Sequence, residues 1–193
     1  MSDIKACAEI SIENLQIDDL TINDLQIIAE KKAKSVIKKL KENSLMLTLA
    51  ESCTCGLISG LLANTSGAST VLWGSFVCYT QEAKVKMLDL DNDALLANGL
   101  ISSQTVESMA KGALKKSGAD IAAAVTGLAG PLGDGRVPVG TVWAATARSS
   151  GETEVKEFFF NSEPIDSEAC RNIIRTSAAI AVLELILNSI EKQ

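Results

Sequence analysis

The sequence predicts an α/β domain whose mixed, mostly parallel sheet is covered by helices on both faces. Three observations predict it. Strand-length apolar runs and helical patterns alternate from Thr21 to Thr126. Those runs are continuously apolar, as in strands buried on both faces. The last two runs are joined by a short turn, as in an antiparallel pair. With 193 residues, 47% hydrophobic and 22% charged, the chain suffices for one core and is short for two ordinary domains.

Residues 1–20 read as an acidic extension, in which Asp3, Glu9, Glu13, Asp18 and Asp19 face only Lys5. A single domain follows over residues 21–193. Leu25, Ile28, Ala29, Ala33, Val36, Ile37 and Leu40 recur at three- and four-residue spacing and predict a helix over 23–43. Asp24 suits its first turn and Lys38, Lys39 and Lys41 its last. A strand over Leu45–Ala50, a helix over Leu57–Ala63 and a strand over Val71–Tyr79 come next. Gln81–Leu88 and Asp93–Leu96 read as short helices. Ser102 or Ser103 caps a helix that reaches Lys116 and stops at Gly118. Asp120–Thr126 is a buried strand and Gly127–Gly135 a glycine-rich loop. Val139–Ala147 and Val155–Phe160 form a hairpin across Ser149-Ser150-Gly151, and Asp166 or Ser167 caps a last helix to Ile190.

Composition excludes several chemistries. The chain has no histidine, so Ser-His-Asp and Cys-His triads and histidine-based zinc or iron sites cannot form within it. Acid–base work near neutral pH falls to Lys, Tyr, Asp, Glu or Cys. Cys7, Cys53, Cys55, Cys78 and Cys170 are odd in number and lack paired CxxC spacing, which points to reduced thiols and no metal. A net charge of −6 argues against direct nucleic-acid binding. The apolar stretches Ile121–Leu132 and Ala178–Leu187, the latter interrupted by Glu184, fall short of a bilayer span, and no signal peptide is visible. A cytoplasmic protein is expected.

Three stretches hold candidate chemistry. Ala50-Glu51-Ser52-Cys53-Thr54-Cys55-Gly56 lies where a strand ends and a helix begins, so a hydroxyl there sits beside unpaired N–H groups. Ser52 and Thr54 are also plain helix caps in a blander reading. In Tyr79-Thr80-Gln81-Glu82-Ala83-Lys84, Tyr79 and Lys84 can lean over the same sheet edge, and a neutral lysine is the natural base for a serine. A packing tyrosine and a solvated lysine are the alternative. Thr126, Gly127, Ala129 and Gly130 lie in a segment with four glycines between 127 and 135, suited to close backbone approach by a ligand or to a surface loop. Arg171 and Arg175, four apart on the last helix, form either a phosphate clamp or a solvated face.

The ordered motifs LTLAESCT-x-G, Y-x-x-EAK, SGADIAAAVTG-x-AGP and PVGTVW closely resemble the C-terminal domain family of the competence/damage-inducible protein CinA. The resemblance covers about residues 25–190 and is nearest to stand-alone nicotinamide mononucleotide deamidases. It implies a three-layer α/β/α domain and an amidohydrolase of pyridine nucleotide salvage, which converts nicotinamide mononucleotide to nicotinic acid mononucleotide and ammonia without a cofactor. It also implies catalytic roles for Ser52, Tyr79 and Lys84 and places the family's glycine-rich segment on Thr126, Gly127, Ala129, Gly130 and Pro131; the residue pattern itself adds Cys53, Thr54, Gly56, Arg171 and Arg175 as candidates around the substrate. A homodimer is a base-rate expectation. The chain departs from the family pattern at Cys55, where relatives carry glycine, and at Leu132-Gly133-Asp134-Gly135, where Asp134 brings a negative charge toward any substrate phosphate. A nucleotide-binding or competence/DNA-damage-associated interaction domain with weakened catalysis is the alternative. A thiol enzyme using Cys53 or Cys55 is a minor one.

Overall fold

The structure, a computed structural model, describes residues 20–160 and 168–192. Helix α1 (Ile22–Glu42) starts at Thr21, whose hydroxyl accepts from the Asp24 N–H while the Asp24 carboxylate accepts from the Thr21 N–H. This reciprocal pair satisfies two donors that a helix start otherwise leaves open. The apolar stripe from Leu25 to Leu40 is buried as its spacing requires.

The remaining elements are β1 (Leu47–Glu51), α2 (Leu57–Ala63), a 3₁₀ turn (Ala68–Thr70), β2 (Leu72–Val77), α3 (Gln81–Leu88) and α4 (Asn92–Asn98). They continue as α5 (Ser103–Ser117), β3 (Ile121–Gly127), β4 (Thr141–Arg148), β5 (Thr153–Phe159) and α6 (Glu168–Glu191). The strands form one sheet in the order β2-β1-β3-β4-β5. β1 pairs in parallel with β2 and β3, whereas β3–β4 and β4–β5 are antiparallel. The sheet is therefore mixed.

Helices cover both faces. On one, α1, α2 and α6 pack over Leu47, Leu49, Ile121, Ala123 and Val125. On the other, α5 with α3 and α4 covers Ala50, Ala122, Ala124 and Ala145. Successive β3 residues thus alternate between layers, and the alanines leave room for α5 to lie close.

Strand ends differ from the apolar runs for local reasons. β2 stops at Val77 because Cys78, whose N–H still reaches Glu51 O at 2.9 Å, leads the chain away toward the Thr80 cap of α3. β4 begins at Thr141 and not Val139, because Pro138 has no N–H to donate and Gly140 makes a turn against Phe160. The 24-residue α6 is long and apolar enough to cross a membrane, but 72% of its apolar window is buried inside the domain. Glu184, which interrupts that run, meets Lys32 of α1 at 3.1 Å in a largely buried ion pair. The acidic extension and the proposed Asp166 or Ser167 cap lie outside the described residues.

Candidate active site

β1, β2 and β3 run in the same direction and end together, and the sequence-predicted residues gather beyond their carboxyl ends. There open α/β sheets collect ligands. Ser52 follows β1 directly and is tied to β3 through its N–H, which donates to Val125 O at 3.1 Å. Lys84 comes from the first turns of α3, and a helical side chain leans toward the helix N-terminus. That brings Nζ to 2.8 Å from Ser52 Oγ, 3.0 Å from Cys78 O and 3.4 Å from Tyr79 O.

Lys84 is only 1% exposed. Burial, the largest influence, lowers its pKa from the ordinary 10.5. A neutral amine has two N–H donors and one lone pair. With Cys78 O and Tyr79 O as acceptors for the two N–H groups, the lone pair is left for the Ser52 hydroxyl. The arrangement can accept a proton from that serine.

Glu51 was no sequence candidate, yet it organises the turn. Its carboxylate is fully buried and accepts five hydrogen bonds. Oε2 takes Thr54 Oγ1, Gly56 N and Ile58 N at 2.9, 3.0 and 3.1 Å, and Oε1 takes Ser59 N and Ser75 Oγ at 3.0 and 3.1 Å. The N-terminus of α2 is therefore occupied by the protein's own carboxylate. It does not offer the anion cradle that the strand–helix junction suggested. Cys55 N is likewise engaged, with Ser52 O at 3.0 Å. The Cys53 and Thr54 N–H groups make no backbone–backbone bond and turn toward the Cys53 thiol. An acid closing an otherwise apolar strand was the only signal for Glu51.

Other expected roles divide. Ser52, Cys53, Tyr79, Lys84, Thr126, Gly127, Ala129 and Arg171 line one pocket of about 170 Å³, closed by Leu100, Ile101 and Leu128. Thr126 spends its hydroxyl on Leu100 O at 2.8 Å. A Cβ on Gly127 would stand 2.7 Å from Thr141 O, so that glycine serves strand packing more than ligand approach. Gly130 lies behind the lining and accepts a hydrogen bond from the Arg171 guanidinium, which also donates to Tyr79 Oη at 3.2 Å. Tyr79 is half exposed, and it meets Lys84 through its carbonyl and not its phenol.

Arg175 is not half of a clamp with Arg171. Its guanidinium holds Cys53 O at 3.1 Å and Thr54 O at 2.8 Å, bracing the Ser52 turn from α6. Thr54 and Gly56 face Glu51 rather than the pocket. Asp134 is turned onto its own loop, where Oδ1 accepts from Arg136 N and Val137 N.

The cysteines separate by burial. Cys53 is pushed up to about 12 by loss of hydration, so it is a neutral thiol at ordinary pH. Cys55 is exposed, does not line the pocket and sits at φ 51°, a left-handed conformation that disfavours any side chain. Cys55→Gly is expected to raise stability by about 1 kcal/mol, the usual order for relieving such strain. The urea midpoint should shift upward at constant m-value; an unchanged or lower midpoint would contradict the strain.

Comparison with known proteins follows the same residues. The model of the CinA C-terminal domain matches residues 29–190, including every element from the middle of α1 to the end of α6. The chain belongs to the CinA C-terminal domain family. A CinA-like protein of Akkermansia muciniphila is 39% identical over 152 residues, which cover 78% of this chain and 36% of the relative. One from Thermotoga maritima is 36% identical over 156 residues, 80% of this chain and 36% of the relative. The chain thus spans about a third of the length of these curated relatives. Among solved structures, the competence/damage inducible protein CihA of Agrobacterium tumefaciens is 38% identical with a TM-score of 0.77, the match covering 85% of this chain and 96% of that one. The competence damage-inducible protein A of Klebsiella pneumoniae is 30% identical with a TM-score of 0.76, covering 86% and 99%.

Proposed function

We propose that this CinA-family chain is an amidohydrolase that converts nicotinamide mononucleotide to nicotinic acid mononucleotide and ammonia, with Ser52 as nucleophile and Lys84 as base. The observation that carries the reading is the buried Lys84 amine 2.8 Å from Ser52 Oγ, with two carbonyls beside it as acceptors. The family membership and the motifs that resemble nicotinamide mononucleotide deamidases supply the substrate.

In this mechanism Lys84 Nζ takes the Ser52 proton as Oγ bonds to the carboxamide carbon. The carbonyl becomes an oxyanion, for which the Cys53 and Thr54 N–H groups, now turned toward the Cys53 thiol, are the backbone donors of the turn. The lysine then returns its proton to the amide nitrogen, the C–N bond breaks, and ammonia leaves an acyl-serine. A water, deprotonated by the again neutral Lys84, releases the acid and restores Ser52. Tyr79 and Arg171, joined at 3.2 Å, form the pocket wall. The phenol contacts substrate there and does not tune the lysine.

The pH dependence follows from the base. Only neutral Lys84 works, so kcat/KM rises with pH and levels off above the Lys84 pKa, which burial places below 10.5. A stopped assay over pH 5–10 reads it. A rate that falls steadily as pH rises would contradict a lysine base. Calorimetry with nicotinamide mononucleotide tests the chemistry itself, since tight binding without ammonia release would favour a binding domain over an enzyme.

A further inference from the structure

The pocket over Ser52 holds about 170 Å³, below the roughly 300–1,000 Å³ usual for small-molecule sites. A nicotinamide ring fills such a space, and a ribose and phosphate beside it do not fit. Leu100 and Ile101, which wall this pocket, also line an adjoining cleft of about 720 Å³. Its rim carries Gln81 at the start of α3, Asn98 at the end of α4, and Asp134 and Arg136 of the loop before β4.

The arginines single out one of these residues. The chain has four, all among the described residues. Arg148 bonds Ser189 O and pairs with Glu152, Arg171 is held by Gly130 O and Tyr79, and Arg175 by Cys53 O and Thr54 O. The Arg136 guanidinium has no hydrogen bond or ion pair among the described residues. One of its terminal nitrogens lies 4.0 Å from where a Cβ on Gly99 would stand. It therefore reaches across the cleft to the segment that continues into Leu100 and Ile101. Asp134 lines the same cleft, but its carboxylate caps the turn that carries Arg136, accepting from the Arg136 and Val137 N–H groups at 2.9 and 3.0 Å.

We propose that Arg136 binds the 5′-phosphate of the mononucleotide in this cleft while the carboxamide end occupies the pocket over Ser52. The ligand's identity rests on the amidase reading; the division into a ring pocket and a phosphate cleft comes from the geometry. Arg136 then sets the preference for a phosphorylated substrate over the free nucleoside, whose ring takes the same pocket but which brings no phosphate to the cleft. A guanidinium with no hydrogen bond or ion pair among the described residues, with the Asp134 charge as its longer-range neighbour, can give a phosphate two parallel N–H bonds.

Calorimetry of nicotinamide mononucleotide and nicotinamide riboside tests this with wild type, Arg136→Gln and Arg171→Gln, alongside an ammonia assay and melting curves of each. Loss of one charge-assisted phosphate contact should raise the mononucleotide Kd about tenfold or more in Arg136→Gln and leave the riboside Kd unchanged. An Arg136→Gln protein that keeps the wild-type preference for the mononucleotide overturns the proposal. So does a preference abolished by Arg171→Gln alone, which would put the phosphate in the smaller pocket. Arg136-dependent binding without ammonia would keep the phosphate site and remove the amidase reading. Ammonia release with an Arg136-independent Kd would do the reverse. Wild-type protein that binds neither ligand would overturn both.

Discussion

Lys84→Met is expected to lower kcat on nicotinamide mononucleotide by about 10²–10⁴-fold, the usual contribution of a positioned general base. Methionine fills most of the space of the lysine stem and cannot accept a proton. Lys84→Arg separates the base from a mere positive charge. Its guanidinium stays protonated throughout the working range, so it keeps the charge and loses the lone pair, and activity should fall by the same order. The measurement is steady-state ammonia release, with melting curves to show that each variant is folded. A Lys84→Arg protein with more than a tenth of the wild-type rate would mean that charge and not basicity is what the site needs. Burial of Lys84, which lowers its pKa, favours basicity as what the site needs.

The second large effect is on stability. Glu51→Ala removes the acceptor of five hydrogen bonds in a fully buried place. The N–H groups of Gly56, Ile58 and Ser59 and the hydroxyls of Thr54 and Ser75 would each lose a partner, and each unsatisfied buried group costs about 1–3 kcal/mol before relaxation or water entry. A loss of about 4 kcal/mol is expected, a large share of the roughly 5–15 kcal/mol that holds an ordinary domain. Urea unfolding gives the number. Glu51→Gln keeps the shape but points an NH₂ at N–H donors, so it should fall between wild type and Glu51→Ala. A Glu51→Ala loss under about 1 kcal/mol would show that the α2 start and β2 do not depend on this carboxylate.

Much of the fold was legible because it depends on local patterns. The α1 stripe, the acidic first turn at Asp24 and the continuous apolar strands each carry their meaning within a few residues. The closing hairpin was visible in its short turn, and its antiparallel pairing makes the sheet mixed. Strand limits were less legible, because hydrophobicity does not record where a ladder ends: Pro138 and the Cys78–Thr80 exit decide that. Within the site, Ser52 and Lys84 stood out because both sit just past strand ends, where hydroxyl and amine chemistry has a structural reason. The partners of side chains that reach across the fold did not stand out. Arg175 could not be told from a phosphate ligand until its carbonyl acceptors 121 and 122 residues away were seen. Glu51 could not be separated from an ordinary strand-end acid, because three of its five donors are backbone groups without residue-type signatures. The same holds for Gly127, whose requirement comes from β4 and not from a ligand.

The site suggests a division of labour that residue types alone obscure. In the proposed mechanism the residues nearest the chemistry are few: Ser52, Lys84 and the backbone N–H groups of the turn. Around them Glu51 and Arg175 grip the Ser52 turn, one through its donors and the other through its carbonyls. Positioning of this kind holds a nucleophile and base in register without ordering a flexible side chain at the moment of reaction.

The most direct test is ammonia release from nicotinamide mononucleotide by wild type beside Ser52→Ala, with nicotinamide as a control. The account predicts turnover by wild type, none above background by Ser52→Ala, and nearly superimposable melting curves for the two. Release by Ser52→Ala above a tenth of the wild-type rate would contradict a Ser52 nucleophile, and no release by either protein would contradict the amidase itself.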